Sequence, residues 1–119
     1  MASTESKKNL YETDPVLMAV LGNRLNAIVG EMTNTLLRTA RSAVLAVVRD
    51  FSCSIVTADN RLLAPGEGVP VHIFGSSLQT QSMCDTHKNL APGDAFLHND
   101  PYMGNTHSAD HMYLVPVFI

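Results

Sequence analysis

Apolar and polar positions follow several distinct rhythms along this chain of 119 residues. The first begins at Asp14-Pro15, where an aspartate can accept from free backbone amides and a proline suits the first helical position. Leu17, Leu21, Leu25, Ile28, Met32 and Leu36 follow at steps of four, four, three, four and four. That spacing draws one apolar stripe on a helix running to about residue 41, roughly 40 Å long at about 1.5 Å per residue. Gly22 and Gly30 each cost such a helix roughly 1 kcal/mol relative to alanine. Thr33, Asn34 and Thr35 are weak helix formers as well, so packing is expected to hold it together.

The rhythm then shortens. Residues 51–57 and 61–64 read as strands of a β-hairpin around Ala58-Asp59-Asn60, since Asp and Asn tolerate turn geometry. Pro65-Gly66-Glu67-Gly68 breaks the hairpin. Residues 69–74 read as a short extended segment, and residues 75–88 as a second helix with Leu78, Met83 and Cys84 inward. Ala91-Pro92-Gly93-Asp94 reads as a turn and residues 95–99 as a strand. After a polar loop, residues 112–119 are strand-like and interrupted by Pro116. The expected fold is mixed α+β, with a flexible leader over residues 1–13. Its final apolar strand has no polar cap, which points to part of a larger domain or to a packing partner.

Composition narrows the function classes. A hydrophobic share of 45% and a charged share of 16% exclude a disordered tail. A net charge of −3 disfavours nucleic acid, whose phosphates need an excess of Lys and Arg. The longest apolar run, residues 43–48, is far short of the roughly 20 residues a membrane helix needs. The polar N-terminus is not a signal peptide, and a cytoplasmic location is expected. Cys53 and Cys84 suit two reduced thiols, having neither disulfide-scaffold numbers nor zinc spacing.

Residues 98–111 are the window richest in candidate chemistry. They hold three of the five histidines, His98, His107 and His111, together with Asp100 and Asp110. Imidazole and carboxylate together suit Zn, Mn or Fe. His98 and Asp100 are two apart and point the same way on a strand end, and one turn can join His107 to Asp110. Asp110 and His111 face opposite sides if a strand begins there. Asp110 is favoured for the site, because a carboxylate on the side of Met112 and Leu114 needs a partner. Spacing alone leaves a metal loop and a polar loop of turn-capping histidines equally open. His72 could serve a cleft as acid or base, or be a satisfied structural histidine. His87 reads as a surface residue near a helix end, and Arg49-Asp50 as a local ion pair. Ser76-Ser77 has no nearby base, and no phosphate-binding glycine loop occurs.

The run Asn99-Asp100-Pro101-Tyr102-Met103-Gly104-Asn105-Thr106-His107-Ser108-Ala109-Asp110 resembles the NDPYxGxTHxxD block of the hydantoinase B/oxoprolinase family. Asn23-Arg24-Leu25, Arg49-Asp50-Phe51-Ser52-Cys53, Asp59-Asn60-Arg61-Leu62, Val69-Pro70-Val71-His72 and Pro92-Gly93-Asp94 fall in the family's order. The resemblance covers residues 14–118 and implies that residues 14–119 are the N-terminal part of a longer hydantoinase B-like domain. It implies a divalent metal (Zn, Mn or Fe) held by His107, Asp110 and Asp100, with His72 as a catalytic residue and further ligands beyond Ile119. It also implies a hetero-oligomer in which a hydantoinase A-like subunit binds ATP and phosphorylates a small-molecule substrate. The expected activity is hydrolysis of cyclic amides such as hydantoins or oxoproline, with the isolated chain inactive. Ser108-Ala109, where many hydantoinases read Leu-Pro, looks more like the acetone and acetophenone carboxylase branch, so an ATP-dependent ketone carboxylase is the alternative. A non-catalytic assembly segment, docking a partner through the long helix, is a third.

Overall fold

Asp14 starts the long helix as its sequence predicts: Oδ1 accepts from the Val16 amide at 2.9 Å, and Pro15 occupies the first turn. In the computed structural model, which describes residues 14–66 and 68–119, this helix α1 spans Pro15–Thr39. The leader expected over residues 1–13 lies outside the described residues. Helix α1 turns a different face inward from the one its leucine stripe suggests. Val29 is fully buried and Thr33 nearly so, whereas Leu17, Leu21, Ile28 and Met32 are 42–53% exposed. Length explains much of this. Twenty-five residues make a rod of about 37 Å. The hairpin packed on it has strands of only three and four residues, about 13 Å at most.

A five-residue π-helical turn, Val44–Val48, carries the apolar run 43–48 and ends at Arg49 in the left-handed region, φ 60°. The hairpin follows as expected but with shorter strands, β1 Ser54–Val56 and β2 Leu62–Pro65. Ser54 faces Pro65, Ile55 faces Ala64 and Val56 faces Leu62, so the ladder bulges by one residue at Leu63. Asn60 closes the turn at φ 60°, a conformation asparagine tolerates. Buried Phe51 and Ala64 complete the small apolar core with Val29.

Two expectations fail in the next stretch. Residues 69–74 were expected to be extended, but Pro70–Phe74 form a short helix, α2. Proline presets the helical φ and has no amide to leave unpaired, so it opens a helix readily after extended Val69. Helix α3, Ser76–Thr86, matches the second predicted helix, yet Leu78 is 63% exposed. The side chains buried from α3 are Ser76 and Gln79. The reason is a close backbone crossing. A Cβ on Gly75 would collide with the Gly104 carbonyl oxygen, and Gln79 Nε2 donates to that oxygen at 2.9 Å.

Strands β3 Phe96–His98 and β4 Met112–Leu114 pair antiparallel, with His98 opposite Met112, and form a second two-stranded sheet. β4 ends sooner than the apolar pattern to residue 119 suggests, because Pro116 lacks the amide a ladder requires. The fold is mixed α+β with a long N-terminal helix and a hairpin, as expected.

Candidate functional site

The loop between β3 and β4 is built from its own polar side chains. Asp100 Oδ1 accepts from the Tyr102 amide at 2.9 Å and caps a 3-10 turn, Pro101–Met103. Gly104 reverses the chain at φ 93°, where a side chain would be strained. Asn105, only 8% exposed, then donates from Nδ2 to the carbonyls of His107 and Asp110, each at 2.9 Å. The Asp110 amide also donates to the His107 carbonyl at 3.2 Å, and Asn99 Nδ2 donates to the Ser108 carbonyl at 2.8 Å. The loop is thereby folded into one turn, with His107 Nε2 3.3 Å from Asp110 Oδ2.

Helix α2 brings a second imidazole to the same oxygen. His72 Nε2 lies 3.4 Å from Asp110 Oδ2 and 3.7 Å from Asp50 Oδ1, with its side chain 13% exposed. Two bonds tie the segment before β1 to the start of α2: Ser52 Oγ donates to the Val69 carbonyl at 2.8 Å, and the Val69 amide donates to the Phe51 carbonyl at 3.2 Å. They carry Asp50 to His72. Asp50 was expected to pair with Arg49. Among the described residues the basic side chain within 4 Å of its carboxylate is that of His72, since left-handed Arg49 turns the backbone just ahead of it.

The structure thus brings His72, His107 and Asp110 together and adds Asp50, which the sequence had marked only as a local ion pair. Asp100 has one oxygen committed to the Tyr102 amide. His98 Nδ1 accepts from the Asp100 amide at 3.3 Å, and His111 is exposed. His87 is exposed and lies against Phe96, ring centres 4.5 Å apart. Ser76 is buried with its Oγ 3.4 Å from Ser54 Oγ, a packing contact. The positioning roles of Asn105 and Gln79 had no sequence signal, since Asn105 falls on an unspecified position of the motif.

Asp110 Oδ2 is buried and receives no hydrogen bond of proper geometry, although two imidazole nitrogens stand close to it. In a tetrahedral shell with bonds of about 2.1 Å, neighbouring ligands stand about 3.4 Å apart. Imidazole and carboxylate are donor types a divalent metal takes. Among the described residues, however, no group of three or more His, Cys, Asp or Glu side chains is placed so that it could hold a metal ion. The Ala109 amide donates to His107 Nδ1 at 3.3 Å. Away from the site, burial pushes the Cys53 thiol pKa up, partly offset by the Thr33 hydroxyl.

What emerges is a mixed α+β segment whose loops gather imidazole and carboxylate at one point. The chain belongs to the hydantoinase B/oxoprolinase family, whose model matches residues 14–119. It is 34% identical to a 5-oxoprolinase of Pestalotiopsis fici over 98% of its own length and 9% of that protein's. It is 28% identical to the 5-oxoprolinase of Dictyostelium discoideum, over 96% of the chain and 9% of that protein. It is 34% identical to a caprolactamase subunit beta of Pseudomonas jessenii, over 88% of the chain and 18% of that protein. The chain therefore spans less than a fifth of the length of each of these relatives. No solved structure matches it. Among the described residues, no helix is long and apolar enough to cross a membrane.

Proposed function

We propose that this chain is the metal-contributing N-terminal segment of an ATP-dependent hydrolase of cyclic amides. The observation that carries the proposal is the buried, unpartnered Asp110 Oδ2 with His107 Nε2 at 3.3 Å and His72 Nε2 at 3.4 Å. Substrate class is supported by the relatives' names, since 5-oxoproline and caprolactam are both cyclic amides. A partner is supported by the name of the caprolactamase relative, which is a subunit. An A-type partner that binds ATP and phosphorylates the lactam oxygen completes the system, consistent with the lack of a phosphate-binding loop here.

His107 and Asp110 would hold the metal, with Asp100 as a further candidate ligand through its uncommitted oxygen. A bound divalent ion supplies a Lewis acid that polarises a carbonyl and acidifies a bound water. His72 handles the proton. Ring opening adds hydroxide to the O-phosphorylated amide carbon, breaks the C–N bond to a nitrogen that must gain a proton, and leaves an acyl phosphate that water hydrolyses to carboxylate and inorganic phosphate. His72 Nε2, between the carboxylates of Asp110 and Asp50, holds such a proton at the site. Asp50 orients the ring. Ser108-Ala109 in place of Leu-Pro favours a second reading, an ATP-dependent ketone carboxylase with the same metal pair.

Metal content by mass spectrometry tests the proposal on the protein purified with its natural partners. Near-stoichiometric Zn, Mn or Fe is expected, and it is lost in His107→Ala and Asp110→Asn. Equal metal in all three proteins, or none in any, overturns it. ATP-dependent opening of 5-oxoproline or caprolactam without bicarbonate supports the hydrolase, whereas a strict bicarbonate requirement selects the carboxylase.

A further inference from the structure

We propose that Asn105 is a positioning residue that sets the distance between His107 and Asp110, and thereby the affinity of this chain for a divalent metal. The inference rests on the metal reading above and goes beyond it in assigning a residue with no donor atom at the centre. Three observations carry it. Asn105 is nearly buried, so its amide has little access to water that could take over its bonds. Both hydrogens of its Nδ2 are spent on backbone carbonyls, one of His107 and one of Asp110, each at 2.9 Å. No other side-chain bond of the loop touches both residues: Asn99 reaches only Ser108, and Asp100 caps the turn before it.

The chemistry of the position is narrow. One planar amide nitrogen donates in two directions at once, and only Asn offers this on so short a side chain. Aspartate has the same shape but presents oxygen to two carbonyl oxygens, so it repels what asparagine holds. The neighbourhood fixes the amide itself. Gly104, immediately before it, is pinned by its crossing with Gly75 and by the bond from buried Gln79 at 2.9 Å. Asn105 thus stands on an anchored backbone and reaches forward to both metal candidates. A residue that orients ligands from behind typically governs metal affinity about 10- to 100-fold.

Co2+ is a suitable probe, because its visible absorption reports coordination as well as binding. The proteins are wild type, Asn105→Asp, Asn105→Ala, Asn99→Ala and His107→Ala, each purified with natural partners, stripped of metal and titrated with Co2+. The expected result is Co2+ binding at least about 10-fold weaker and an altered visible spectrum for both Asn105 variants. Asn99→Ala should keep the wild-type spectrum. Asn105→Ala serves if the aspartate variant does not fold, since its freed carbonyls can take water. Wild-type affinity and spectrum in a folded Asn105 variant overturn the proposal while leaving the metal site standing. Equal binding by wild type and His107→Ala overturns the metal reading, and this one with it.

Discussion

Asp110 Oδ2 stands 3.4 Å from His72 Nε2, joining the loop ahead of β4 to the short helix α2. Nothing local in the sequence connects these two residues. Their meeting depends on a backbone crossing near each: Gly75 follows α2, Gly104 lies in the loop ahead of Asp110, and a Cβ on Gly75 would collide with the Gly104 carbonyl oxygen. Gln79 then bonds that same oxygen at 2.9 Å. The site is therefore only as well ordered as this crossing.

Gly75→Ala should for that reason cost more than its single methyl suggests. Forcing a methyl into an occupied space typically costs about 1–3 kcal/mol. The displaced loop should also carry Asp110 away from His72. Gly22 provides the contrast: it lies within α1 with nothing near its missing Cβ. Gly22→Ala should gain up to about 1 kcal/mol from helix propensity. Urea midpoints of the two variants check this, and a Gly75→Ala protein as stable as wild type would remove the crossing from the account.

The contacts of the candidate site that are legible in the sequence are those made within one turn. His107 and Asp110 are three apart, and one loop brings them to 3.3 Å. The parts not legible depend on long-range placement. Asp50 beside Arg49 reads as an ion pair until the left-handed Arg49 and the bonds of residues 51 and 52 to Val69 bring Asp50 to His72. The short strand-like stretch 69–74 gave no periodicity to decide between strand and helix, and Pro70 decided it. In α1 the period was right and the stripe it draws is largely exposed in this chain, because periodicity says which residues share a side and not what covers it.

That exposed stripe is testable in the 119-residue chain. Val29 is fully buried against the hairpin, whereas Leu21 is 45% exposed. Val29→Ala should destabilise by about 2 kcal/mol, from lost methyl burial and the space left behind. Leu21→Ala should fall within about 0.5 kcal/mol of wild type, as exposed substitutions usually do. Denaturant titration of both variants decides it, and a larger loss at Leu21 would return the leucine stripe to the core.

Asp50→Asn keeps the shape of the side chain and removes its charge from His72, 3.7 Å away. Metal content should stay at the wild-type level, because the His107–Asp110 pair is untouched. Under the proposed function, ring opening by the protein purified with its natural partners should fall about 10- to 100-fold, the range found for side chains that orient metal-site histidines. Loss of metal together with activity would instead make Asp50 part of the metal shell, and an unchanged rate would leave it no part in the reaction.

Cys53 makes a prediction about alkaline pH. Burial raises its thiol pKa above the ordinary 9.0, with partial opposition from the Thr33 hydroxyl. Well below pH 9 both folded and unfolded chains keep the proton, and the group contributes nothing to the pH dependence of stability. Above it the unfolded thiol ionises first, so the unfolded state gains and stability declines until the folded thiol ionises as well. Cys53→Ala should flatten this decline above about pH 9 in urea titrations, relative to wild type. The same protonated thiol should react slowly with iodoacetamide in the folded chain at pH 8, since the thiolate is the nucleophile. Rapid labelling of folded Cys53, or a wild-type pH slope in Cys53→Ala, would show that this thiol is not held in its neutral form.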